Sequence, residues 1–86
     1  MPEISRFFGI VIRMFFDDHF PAHLHADYVG QEARIGLDPM TVLESKLPPR
    51  ALAMVLEWTA LHQQELLDNW NRLHTGQPPF KVPPLS

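Results

Sequence analysis

The sequence predicts an α+β domain: an antiparallel sheet of three to four strands, with one long C-terminal helix packed on one face. Three observations predict it. The first half breaks into short runs rich in β-branched and aromatic residues, punctuated by Gly and Pro turn signals. From Pro49 to His74 the apolar residues recur at a helical period instead. The length of 86 residues leaves room for one domain and one modest core.

The chain opens with an apolar run from Ile4 to Phe16 that lacks proline and reads as strand. Its even positions, Ile4, Phe8, Ile10, Ile12, Met14 and Phe16, form one face interrupted by Arg6. Its odd positions carry Phe7, Val11 and Phe15 with Ser5, Gly9 and Arg13. Gly9 marks a bulge or the turn of a hairpin, and the parity beyond it depends on which. Asp17 to Ala22 is polar, contains Pro21, and reads as a loop. His23 to Val29 is a second strand, Gly30-Gln31 a turn, and Glu32 to Leu37 a third strand that Asp38-Pro39 breaks. Thr41 to Glu44 is a short fourth, edge strand.

Pro48-Pro49 opens the helix, which Gly76 closes. Leu52, Val55, Thr59, His62, Leu66, Trp70 and Leu73 lie along one stripe, flanked by Ala51 and Trp58. Glu57, Gln64, Asp68 and Asn71 occupy the opposite side, so the helix is amphipathic and lies on the sheet. Residues 1–76 form the domain. Residues 77–86 hold four prolines and form an extended tail, draped over the domain through Phe80, Val82 and Leu85.

Composition excludes several classes of function. A hydrophobic fraction of 45% argues against disorder. No apolar run approaches the eighteen or so residues of a membrane span, and no secretory leader is evident, so a soluble, cytoplasmic protein is expected. With no cysteine, disulfides and thiolate metal sites are excluded. The net charge of −3 has the wrong sign for binding duplex DNA by phosphate neutralisation. A local basic patch would need Arg6, Arg13 and Arg34 to gather on the sheet; such a patch leaves RNA open as a ligand.

One helix covers one side of a sheet. The other side then presents Phe7, Val11 and Phe15, and an aromatic patch of that kind marks an interface. The expectation is a homodimer or a complex with a small protein partner. The alternative is that the proline-rich tail covers the patch within the monomer.

The chemistry concentrates in Asp18-His19-Phe20-Pro21-Ala22-His23-Leu24-His25-Ala26. His23 and His25 are two apart, so an extended chain projects both rings from one face. Asp18 can accept a hydrogen bond from an imidazole N–H. His23, His25 and His19 suit a divalent transition metal such as zinc, nickel or iron, with an open position for water. Alternatively His23 and His25 serve as general acid and base on a phosphodiester, with Asp18, His19 and His62 in support and Arg6 or Arg13 on the phosphate. The structural alternative is that these histidines order a turn. His62, polar on an apolar stripe, is expected buried beside His23 or His25. Trp58 and Trp70 read as core, His74 as a helix-end imidazole favoured by the dipole, and Glu65 and Asp68 as a solvated face.

Three stretches carry a resemblance: the start Met-Pro-Glu-Ile-Ser-Arg-Phe-Phe-Gly-Ile, the core Asp-His-x-Pro-x-His-x-His-Ala, and Leu-Glu-Trp-x-x-Leu-His-x-x-Glu-Leu-x-x-Asn-Trp in the helix. Together they resemble a small bacterial family catalogued as domain of unknown function 4160, along nearly the whole chain. The matching residues are Arg6, Phe7, Gly9, Asp18, His19, Pro21, His23, His25, Trp58, His62, Asn69 and Trp70. That family usually reads Pro-Pro-His-Phe-His at its core, where this chain has Ala22 and Leu24; every ionisable group is kept. The resemblance implies no established activity. It does imply a gene found beside that of another small uncharacterised domain, in pairs suspected of being toxin–antitoxin modules. Association within such a two-gene system is the expected function, with a histidine-centred hydrolase of ribonuclease or phosphodiesterase type, metal-dependent or metal-free, as the alternative.

Overall fold

The structure is a computed structural model and describes residues 3–86. Met1 and Pro2, where the expected domain and the first quoted motif begin, lie outside the described residues. The strands are β1 (Glu3–Phe7), β2 (Ile10–Arg13), β3 (His23–Tyr28), β4 (Gln31–Leu37) and β5 (Met40–Ser45); α1 (Pro49–Leu61) and α2 (Gln63–His74) follow. The strands form an antiparallel meander in chain order. The α+β class holds, but among the described residues the sheet has five strands rather than three to four, and two helices stand where one was expected.

Each difference has a local cause. The run Ile4 to Phe16 is a hairpin, because Phe8 and Gly9 bridge the pair Phe7↔Ile10 with φ of 51° and 81°. A two-residue connection with both residues at positive φ matches the twist of the flanking strands, and glycine adopts it without steric cost. Val29 and Gly30, with φ of 51° and 78°, repeat the device between β3 and β4, one residue earlier than the expected turn. The expected edge strand at Thr41 to Glu44 is β5, joined to β4 across Asp38-Pro39.

The first turn also decides which side chains face the core. Phe7 stands opposite Ile10, so the two share a face and both are buried. Phe7 is 5% exposed, with its ring 5.3 Å from that of Trp58. The expected exposed patch of Phe7, Val11 and Phe15 is therefore not formed, since its parity assumed an unbroken strand. Val11 is half-buried opposite Arg6 and Asp27, and Phe15 packs edge-on to the His25 ring at 4.7 Å.

The sheet face opposite the helices is charged rather than aromatic. One cross-strand row reads Arg13, His25, Arg34, Glu44, and the next reads Arg6, Val11, Asp27, Glu32. Arg6 pairs with Glu3 at 2.8 Å, Arg13 with Asp27 at 3.8 Å and Arg34 with Glu44 at 3.0 Å. Each arginine is neutralised by its own carboxylate, so the expected basic patch does not gather. Such exposed pairs contribute only about 0–1 kcal/mol each; the fold rests on the other face.

There Ile10, Ile12, Leu24, Ala26 and Ile35 pack beneath Val55 and Trp58 of α1 and Leu66 and Trp70 of α2. The helix breaks at His62, which has φ −120° and ψ 21° and shares its N–H between the carbonyls of Trp58 and Thr59. One turn earlier the buried Thr59 hydroxyl donates to the Val55 carbonyl at 2.7 Å, a back-bond that bends helices. The bend divides the apolar stripe without ending it, and Asn69 joins the buried side of α2.

Gly76, at φ 78°, follows α2, and residues 77–86 are extended and docked. The fully buried Asn69 clamps the Phe80 backbone: its Nδ2 donates to the Phe80 carbonyl and its Oδ1 accepts from the Phe80 N–H, both at 2.8 Å. Trp58 Nε1 donates to the Pro83 carbonyl at 2.8 Å, and Arg72 Nε to that of Pro78 at 2.8 Å, its guanidinium 4.1 Å over the Phe80 ring. The Val82 N–H donates to the Ile4 carbonyl at 3.0 Å, and its side chain is 3% exposed. The tail thus joins β1 to both helices, as its apolar residues suggested.

Candidate functional site

β3 begins at His23, and its alternation sends Leu24 and Ala26 to the core while His23, His25 and Asp27 take the other face, His25 and Asp27 half-buried and His23 buried at the strand's start. The loop between β2 and β3 folds back over the start of this strand. Its Asp18 carboxylate accepts from His25 Nε2 at 2.9 Å, and the same oxygen lies 3.3 Å from His23 Nε2. The two rings are 5.1 Å apart. His23 is 6% exposed, walled by the Trp70 ring at 5.5 Å.

Two contacts position these groups. His23 Nδ1 donates to the Pro21 carbonyl at 2.8 Å, which holds the ring with Nε2 toward Asp18. His74, stacked on Trp70 at 4.1 Å, bridges the carbonyls of Trp70 and Asp18, each at 2.8 Å. The expected helix-end imidazole is therefore also the strut that fixes the Asp18 loop to the end of α2.

His25 Nδ1 is buried without a hydrogen-bond partner and lies 3.6 Å from the Glu32 carboxylate. His19 is exposed and stands outside the converging set, which comprises Asp18, His23 and His25. Asp18 thus fills the place expected for His19. His62 bonds Glu65 at 2.6 Å and packs 5.4 Å from Trp58. Its expected contact with His23 or His25 is not formed; His62 is held by Glu65 and Trp58, while the His23 ring packs on Trp70.

Asp18, His19, Phe20, Pro21, His23, His25, Arg34 and Leu43 line a cleft of about 170 Å³. That is below the ~300 Å³ of ordinary small-molecule sites and suits an ion, water or a small polar group. A larger hollow of about 320 Å³ lies between α2 and the tail, lined by Asp68, Arg72 and Phe80 among others, away from these histidines. Arg34 and Leu43 were not among the expected site residues. Arg34 was findable: the Val29–Gly30 turn places it directly opposite His25.

The arrangement restricts acid–base chemistry. Both Nε2 atoms and the carboxylate point at one another, while one Nδ1 is committed to Pro21 and the other is buried. Neither His23 nor His25 has a ring nitrogen free to take a proton from a substrate in the cleft; exposed His19, which also lines it, stands apart from the converging set.

Among known proteins, a family model described as Domain of unknown function (DUF4160) matches residues 9–71, most of the chain. No curated protein and no solved structure matches it.

Proposed function

The chain belongs to the family of domain of unknown function 4160; from that premise, which brings no activity with it, we propose that it is a protein–protein association module. Its setting is a bacterial two-gene system of the toxin–antitoxin type. The observation that carries this reading is β5. It is the outermost strand, Met40 to Glu44 are all exposed, and the apolar Met40, Val42 and Leu43 are 39%, 43% and 38% exposed. An unpaired edge with exposed apolar side chains is a template for an added strand. At the opposite edge, β1 is engaged by the chain's own Val82.

The occupant is an extended segment of a small partner protein rather than a second copy of β5. The β4–β5 ladder shifts register between Arg34 and Ile35, and a bulge twists its strand, which opposes long regular pairing of β5 with itself. The test is co-expression with the product of the adjacent gene, followed by native mass spectrometry and hydrogen exchange. A hetero-complex that protects the β5 amides, and that weakens at least tenfold in Val42→Lys with the melting temperature kept, is expected. A complex indifferent to Val42→Lys, with β5 exchanging as in the free chain, or a β5-paired homodimer, refutes the reading.

A histidine-centred hydrolase is the second reading, favoured by the convergence of Asp18, His23 and His25 in a cleft that Arg34 also lines. Arg34, which lines the cleft where Arg6 and Arg13 do not, takes the anion-binding role expected for those two, and an anion there would compete with its partner Glu44 at 3.0 Å. Turnover of a chromogenic phosphodiester, lost in folded His23→Ala and His25→Ala, is the expected result. Turnover that survives both changes removes it.

A further inference from the structure

With both rings neutral, hydrogen bonds do not complete the arrangement of Asp18, His23 and His25. The Pro21 carbonyl can only accept, so His23 Nδ1 carries the proton and the neutral ring turns a lone pair at Nε2 toward Asp18 Oδ2, 3.3 Å away. In His25, a proton on Nε2 satisfies Asp18 but leaves a buried Nδ1 lone pair with no donor, 3.6 Å from the Glu32 carboxylate. A proton on Nδ1 relieves that, since it faces Glu32, and it too leaves a lone pair at Nε2. Without a cation, His25 Nε2 keeps its proton for Asp18; with one between them, both rings take the Nδ1–H tautomer and three electron-pair donors converge on one point.

A cation satisfies such a point. The donor atoms of the three side chains all lie within 4.8 Å of one another. Metal bonds of about 2.1 Å at tetrahedral or octahedral angles put neighbouring ligand atoms about 3.0–3.5 Å apart; the two Nε2–Oδ2 separations are 2.9 and 3.3 Å. A ligating histidine commonly donates its other N–H to a carbonyl or carboxylate, which are the groups that Pro21 and Glu32 supply.

We propose that Asp18, His23 and His25 bind one divalent first-row transition-metal ion through one carboxylate oxygen and both Nε2 atoms, on the face of the cleft. Two imidazoles and a carboxylate leave at least one coordination position for water, and this borderline donor set selects zinc, cobalt, nickel or iron over magnesium or calcium. The inference does not rest on partner binding at β5, although Leu43 borders both the cleft and that edge. Where the hydrolase reading holds, the ion supplies the activated water that the imidazoles by themselves cannot.

The experiment uses the untagged full chain, stripped of metal and titrated with Zn²⁺ and separately with Co²⁺. Native mass spectrometry is expected to show saturable uptake of one ion per chain, and the Co²⁺ form a visible d–d absorption. Asp18→Asn, His23→Ala and His25→Ala should each weaken uptake at least tenfold, while His62→Ala, outside the cleft, leaves it unchanged. Because a ligand variant can fail to fold, X-ray absorption of the wild-type zinc form is the companion measurement, with two imidazole nitrogens expected. Absence of one-to-one uptake, equal uptake by the folded ligand variants, or a zinc shell without two imidazoles overturns the proposal. Metal uptake with no phosphodiesterase turnover would remove the hydrolase reading and leave the site; turnover without uptake would do the reverse.

Discussion

Replacing Asn69 by Ala isolates what the C-terminal tail contributes. The side chain makes two hydrogen bonds of 2.8 Å to the backbone of Phe80 from a fully buried position on α2. Removing it deletes both and leaves an N–H and a carbonyl to find water in a half-covered groove. A typical net bond contributes about 1 kcal/mol and an unsatisfied partner adds more, so a loss of roughly 2–3 kcal/mol is expected. For 86 residues the unfolding entropy is about 0.18 kcal/mol/K. The melting temperature should therefore fall by roughly 11–17 °C, read by circular dichroism, with faster exchange at the Phe80 and Val82 amides. Asn69→Asp, nearly the same shape, should fare no better, because a carboxylate oxygen would face the Phe80 carbonyl. Trp58→Phe, which removes the bond to Pro83, should cost less in the Asn69→Ala background than alone, since both anchor one strap. A melting temperature within about 3 °C of wild type, with the tail amides still protected, would refute the clamp.

Val29 is a β-branched residue held at φ 51° and 80% exposed, so Val29→Asn should stabilise by about 1 kcal/mol through relief of left-handed strain, raising the melting temperature by roughly 5 °C. Gly36→Ala would put a Cβ 2.9 Å from Thr41 Cγ2; a cost of about 1–3 kcal/mol is expected, with recovery in Gly36→Ala/Thr41→Ser because serine lacks that methyl. The Glu3 carboxyl is held below its ordinary value, first by its hydrogen bond from Arg6. Its contribution is present above the unfolded pKa and is lost as pH falls through the lower folded one. The pair is exposed, so NMR titration of Glu3 is the suitable readout; in Arg6→Met the pKa should rise toward the usual carboxylate range.

Legibility followed the range of each interaction. The face shared by His23, His25 and Asp27 was readable because strand alternation is local, and so was the stripe of α1 and α2, which follows from helical period alone. The position of Phe7 was not readable without deciding Gly9: a bulge and a two-residue turn leave the same residues in the sequence but opposite parity beyond them. The break at His62 depends on a threonine back-bond and on the sheet beneath, neither visible in periodicity. In the site, Asp18 was named from proximity, but the choice of Asp18 over His19 depends on how the loop closes, and His74, 56 residues away in the chain, fixes that closure. Asn69 belongs to the helix motif, but its role is not legible there, because its partner is backbone at Phe80, and backbone partners leave no signature in residue type.

The asymmetry of the two sheet edges has a consequence for valency. A sheet open at both ends can be extended at both, and molecules joined that way grow without limit. Here the Val82–Ile4 bond engages the first edge from within the molecule, while β5 stays open. Strand addition at the open edge then terminates after one event, giving a one-to-one complex of defined mass instead of a fibre. The tail, which places Val82 in the core, would in this way also set the stoichiometry of whatever the first half assembles.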